Sequence, residues 1–125
     1  MVWKNAEINL SAFDLSTPVS RLGWMAVGWI HGGFIEELIC RGFLLTRPET
    51  LFGKRPWSTV VAVFLLVVFF GLGHAYQGIV GMISTGLSSL VFWAAYFLSK
   101  RELGVSLFAH GLWDTIGWLL IFSGS

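Results

Sequence analysis

Charge is what this chain has least of. Only 12% of its 125 residues are charged, about half the roughly 25% of soluble domains, so polar surface is too scarce to cover a water-soluble globule. Residues 56 to 99 contain no Asp, Glu, Lys or Arg, a run about twice the ~20 residues that one membrane crossing needs. A lone cysteine, Cys40, cannot close an internal disulfide, which excludes a disulfide scaffold. The formal net charge of +1 is too small for nucleic-acid binding, so no nucleic-acid partner is expected. The start lacks the basic, apolar and small-residue succession of a signal peptide. What is abundant is apolar: 55% of residues are hydrophobic and mean hydropathy is +0.74. These values describe an integral membrane protein with the lipid bilayer as its surroundings, and 13.9 kDa leaves room for one domain.

Residues 1–20 form a mixed N-terminal segment in which Ile8, Leu10, Phe13 and Leu15 suit the membrane interface. Residues 21–125 form the core. Thr17-Pro18 marks a helix start, with Thr17 as N-cap and Pro18 in the first turn. A first apolar segment covers residues 22–45, and Pro48 is expected to end it because the residue before a proline avoids helical angles. Further spans are expected over 57–75, 78–98 and 103–122, separated by turns at 47–56 and at Lys100-Arg101-Glu102. The β-branched run over 59–68 could suit a strand, but lipid admits only helices or closed barrels, and four such segments close no barrel. The expected fold is an all-α polytopic membrane bundle of about four transmembrane helices. Arg47, Lys54, Arg55, Lys100 and Arg101 lie in the turns after helices one and three, against Lys4 and Arg21 on the other side. The positive-inside tendency then places those turns in the cytoplasm and both termini outside. A bacterial-type cell membrane, with the site nearer the cytoplasmic side, is the expected setting.

Glu36, Glu37, Arg41 and Asp114 stand inside apolar segments, where each charge costs roughly 2.5–3.5 kcal/mol at a helix centre. Glu37 and Arg41 are four apart and share a face, so the plainer reading is an ion pair that braces the helix. Glu36 is turned ~100° from Glu37 and has no basic residue at helical spacing. An unpaired carboxylate in an apolar setting suits proton transfer. His74 follows Phe70 by four, with Gly71 and Gly73 between, and His110 and Asp114 share a face of the last span. A lone histidine in an apolar helix is more often a satisfied core residue; polar groups on three separate helices weigh toward a site. His31 is five residues before Glu36, ~140° away in an α-helix, and reads as structural or interfacial.

Glu36-Glu37-Leu38-Ile39-Cys40-Arg41 resembles the E-E-x-x-x-R motif of the CPBP family of CAAX proteases and bacteriocin-processing proteins. Phe70-Gly71-Leu72-Gly73-His74 is similar to its second motif, F-x-x-x-H, and His110-Gly111-Leu112-Trp113-Asp114 to its third, H-x-x-x-N/D. The resemblance implies an intramembrane endopeptidase, akin to the type II CAAX prenyl endopeptidases, acting on a membrane-tethered, prenylated or unprenylated, peptide or protein. Glu36 and His74 would activate water, His110 and Asp114 would serve the oxyanion side, and Glu37 and Arg41 would brace the site. Asp114 departs from the asparagine common in relatives; an ionised Asp only accepts, so it is expected to orient His110 or to bind metal. Glu36, His74, His110 and Asp114 have the donor chemistry of Zn²⁺ ligands, and a metal-free glutamate mechanism suits the same residues. Relatives carry further helices before the first motif, so the chain is expected to be a fragment, a minimal core, or a subunit that forms an oligomer or borrows helices from a partner.

Two other classes compete. A non-catalytic scaffold or bacteriocin-immunity protein could share the fold, though the complete polar set favours the enzyme. A proton relay would need a polar stripe through the bilayer, and the third span offers only Ser84, Thr85, Ser88 and Ser89.

Overall fold

The computed structural model describes residues 11–124, and the interfacial placement expected for Ile8 and Leu10 lies outside them. Helix α1, Pro18–Val27, starts where the Thr17-Pro18 pair predicts. Thr17 is extended (φ −120°, ψ 153°), its Oγ1 accepts from the Ser20 backbone N–H, and the Ser20 Oγ accepts from the Thr17 N–H, closing a capping box.

The rod continues as π-helical stretches, Gly28–Glu36 and Leu38–Leu44, and then as α2, Thr46–Phe52. Backbone angles at Gly28, Glu37 and Leu45 are all helical, so the chain never leaves a helix between Pro18 and Phe52. Pro48 therefore does not end the first helix; it lies inside α2. In i→i+5 register the Phe43 carbonyl would look to residue 48, whose proline has no N–H. The Thr46 Oγ1 instead donates to Phe43 O at 2.8 Å. The stop comes at Gly53, in a positive-φ conformation (φ 79°) that glycine adopts at no steric cost.

Arg55, extended ahead of Pro56, leads into α3, Pro56–Gly73. A 3₁₀ turn, Ala75–Gln77, and Gly78 reverse the chain into α4, Gly78–Leu98. Helix α5, Leu103–Gly124, follows a turn in which Lys100 and Arg101 both have positive φ. That conformation is costly for residues with a Cβ, and Arg101 is held in it from both ends. Its N–H donates to Tyr96 O at 2.7 Å, and its guanidinium donates to both carboxylate oxygens of Glu49 at 3.0 Å. Glu49, which reads in sequence as a turn residue, is buried in α2 and ties the two turns together.

Among the described residues the fold is an all-α bundle without strands. Three helical stretches, Pro56–Gly73, Ala75–Leu98 and Leu103–Gly124, are long and apolar enough to cross a membrane. The expected fourth crossing falls in the Pro18–Phe52 rod, which carries Glu36, Glu37 and Arg41 and is not among those three. Glycines set the spacing. A Cβ on Gly71 would stand 2.8 Å from the Met82 carbonyl oxygen, and one on Gly33 would stand 3.5 Å from the Gly111 Cα, so α3 meets α4 and α5 meets the π-helical rod backbone to backbone.

The bundle buries charged and polar side chains beside a small apolar core and exposes large apolar ones. Glu37, Arg41, Ser89, Ser106 and His110 are buried, whereas Phe69, Ile79 and Leu98 are 71%, 72% and 86% exposed. In water such a surface would aggregate; in lipid it is the solvated face.

Candidate active site

The polar interior is organised around His110, on the α5 face toward the rod. Glu37, fully buried, accepts from the His110 Nδ1–H at 2.7 Å and from the Arg41 Nη1–H at 2.8 Å, both on Oε1. A carboxylate only accepts, so His110 carries its proton on Nδ1 and turns Nε2 away from Glu37. The Arg41 guanidinium lies 4.1 Å over the Trp93 ring and donates to Ser89 O at 3.3 Å. Phe92 stacks on the imidazole at 4.3 Å between centroids, and Phe70 meets it edge-on at 5.7 Å. One hydrogen bond and two aromatic faces thus fix the ring.

Beyond Nε2 lies a cavity of about 420 Å³, within the range of ligand pockets. Glu36, His74, His110 and Asp114, drawn from three separate helical regions, all line it. Glu36 Oε2 stands 3.8 Å and Asp114 Oδ2 3.7 Å from His110 Nε2. Both separations exceed a hydrogen bond and suit a bridging water. At the end of α3, His74 Nδ1 lies 2.8 Å from Phe70 O. A carbonyl only accepts, so that nitrogen is the protonated one and Nε2 is the basic nitrogen left over.

His74 stands at the end of α3, and the cavity reaches up to it: Tyr76 and Gln77 of the α3–α4 turn line the same space, as do Trp24 and Trp118. That end of the bundle is opposite the turns holding Arg55 and Lys100. A site nearer the cytoplasmic side therefore does not follow from placing the basic turns inside.

The sequence reading offered Asp114 as the group that orients His110. That position is taken by Glu37 on Nδ1, and Asp114 stands on the far side of the ring. Asp114 also closes on the rod, where a Cβ on Gly32 would collide with its carboxylate. Spacing in α-helical register missed His31, whose Nδ1 lies 3.1 Å from Glu36 Oε1. It also missed the hydrogen bond from the Thr85 hydroxyl to Gln77 Oε1, 2.6 Å long, on the cavity wall.

Neutral imidazoles and carboxylates are the right donors for zinc, but ligands ~2.0–2.1 Å from a tetrahedral ion stand only about 3.3 Å apart. The 3.7 and 3.8 Å separations are wider. Among the described residues no group of three or more His, Cys, Asp or Glu side chains is placed to hold a metal ion. As the side chains stand, the donors are spaced more openly than a tetrahedral zinc site requires.

Fold and site together define a helical membrane protein with a water-sized gap between carboxylates and histidines, walled by apolar helices. A family model described as type II CAAX prenyl endopeptidase Rce1-like matches residues 18–116. The chain belongs to this family of membrane proteases. No curated protein and no solved structure matches it.

Proposed function

We propose that the chain is an intramembrane endopeptidase that hydrolyses a peptide bond of a membrane-tethered, CAAX-type substrate by water activated at Glu36. The observation that carries this reading is the placement of Glu36 and His110 across a 3.8 Å gap, with His110 fixed from behind by Glu37. A water hydrogen-bonded to both sides can give its proton to Glu36 Oε2 while its oxygen attacks the carbonyl carbon. His74 supplies a second basic nitrogen on the same wall. His110, when protonated at Nε2 as well, donates to the developing oxyanion. The proton held by Glu36 then passes to the leaving amine as the carbon–nitrogen bond breaks, restoring the carboxylate. The Glu37–Arg41 pair touches none of the reacting atoms and acts through the ring it positions.

Mass spectrometry of a farnesylated CAAX peptide incubated with the protein in phosphatidylcholine vesicles tests the reading. The expected product has lost its last three residues; an intact peptide with folded protein overturns it. The same peptide without the farnesyl group reads whether prenylation is required.

Asp114 provides a separate expectation. An amide at this position still hydrogen-bonds, so Asp114→Asn should keep turnover within about tenfold of the parent, less than the 10²–10⁴-fold that a general base supplies. Elemental analysis of both purified proteins accompanies the rates. Stoichiometric zinc in the active parent, lost with activity in Asp114→Asn, would contradict the metal-free account.

A further inference from the structure

We infer that His31 is a positioning residue for Glu36, holding one carboxylate oxygen so that the other faces His110; this rests on the catalytic reading of Glu36. His31 belongs to none of the three motifs. In an α-helix it would stand ~140° from Glu36. The π-helical stretch Gly28–Glu36 narrows that separation, because i→i+5 bonding widens the turn to between roughly four and five residues and so brings positions five apart onto one face.

The result is a division of labour between the two oxygens. Glu36 Oε1 lies 3.1 Å from His31 Nδ1, while Oε2 lies 3.8 Å from His110 Nε2. One separation is a direct polar contact and the other leaves room for water. Both side chains line the cavity; that of His31 is 65% exposed and that of Glu36 21%, so His31 stands toward the mouth. Left alone, a glutamate carboxylate turns freely about its last torsion, whose profile is broad. A contact on one oxygen removes that freedom.

Helix packing supports the register that makes the contact. A Cβ on Gly32 would meet the Asp114 carboxylate, and one on Gly33 would come 3.4 Å from Leu107 O. The rod in this stretch is seated against α5, so the His31–Glu36 alignment is part of the packed structure. π-Helical turns within longer helices are frequent at functional sites, and here the consequence of the register is specific: it brings a second imidazole to the base.

Rates with the farnesylated CAAX peptide, on vesicle-reconstituted protein, test the inference. A base displaced by an ångström costs about 10²-fold, so His31→Phe should lower kcat by about 10- to 100-fold with KM little changed. His31→Asn places an amide nitrogen near the position of Nδ1 and should restore most of the rate. The infrared carboxylate band of Glu36, assigned by subtraction of Glu36→Gln, should shift in His31→Phe and return in His31→Asn. If the phenylalanine variant does not fold, His31→Ala is read in the same way. An unchanged kcat, or an unchanged Glu36 band, in a folded variant lacking the imidazole overturns the inference. Parent-like cleavage by Glu36→Gln defeats the catalytic reading instead, and if the parent leaves the peptide intact the infrared band alone decides on His31.

Discussion

Glu36→Gln is expected to lower peptide cleavage by about 10²–10⁴-fold, the range a positioned general base contributes, with folded yield and membrane insertion unchanged. The glutamine has the same shape and keeps a hydrogen-bonding group toward His31, so the cavity wall stays as it is. What it lacks is a basic oxygen to receive the proton of water across the 3.8 Å gap to His110. Turnover on the farnesylated peptide, with circular dichroism and size exclusion as checks of fold, reads the outcome. Parent-like turnover in folded Glu36→Gln would remove the base from the account. It would also favour the non-catalytic alternative if the parent itself were equally slow.

The second large effect falls on Glu37 and Arg41. Glu37 is fully buried and serves two donors, Arg41 and His110, so Glu37→Ala strands a buried guanidinium and frees the imidazole at once. Removing one partner of a buried pair costs about 3–5 kcal/mol, so either single alanine should reduce folded yield and thermal midpoint sharply. The double variant should lose much less than the sum, because neither charge is then left without its partner. Thermal midpoints of the four proteins in one detergent measure the coupling; additive losses would show that the two side chains act independently. Variants that remain folded separate the two roles of Glu37. Arg41→Ala leaves the His110 hydrogen bond in place and should retain more turnover per folded molecule than Glu37→Ala.

Which parts of this were legible in the sequence follows from what each contact depends on. The spans were legible because lipid imposes one rule on every residue: backbone groups bond within the helix and side chains outside are apolar. Thr17-Pro18 and Gly78 lie at element starts because capping and positive φ are local demands, readable from a few residues. The Glu37–Arg41 contact is likewise local, four residues along one rod. The third member of that network, His110, is 73 residues away; its donation to Glu37 is a product of helix packing that no spacing shows. The Glu49–Arg101 bridge, across 52 residues, was invisible for the same reason.

Pro48 and His31 failed differently. The Pro48 reading rested on the residue before a proline avoiding helical angles, yet the chain stays helical through α2; the His31 reading assumed α-helical register, which gives way to i→i+5 bonding over the rod. Glycines at positions 28, 32, 33 and 42 permit close approach of a neighbouring helix, but by themselves they do not say that the backbone changes register. Asp114, four residues from His110 on one helix, was expected to orient it or to bind metal because an ionised carboxylate only accepts. Geometry gives Nδ1 to Glu37 because that carboxylate is completely enclosed beside the ring, while Asp114 stands toward the cavity.

The central claim is that water, and no side-chain nucleophile, attacks the peptide bond. Single-turnover cleavage of the farnesylated peptide by excess protein in H₂¹⁸O, followed by mass spectrometry of both peptide and protein, tests it most directly. The account predicts one ¹⁸O in the new C-terminal carboxylate, formed at the rate of tripeptide release, with the protein at its unmodified mass throughout. A peptidyl adduct on the protein, at Cys40 or at a serine such as Ser88, that forms with tripeptide release and decays before the labelled carboxylate emerges would contradict it.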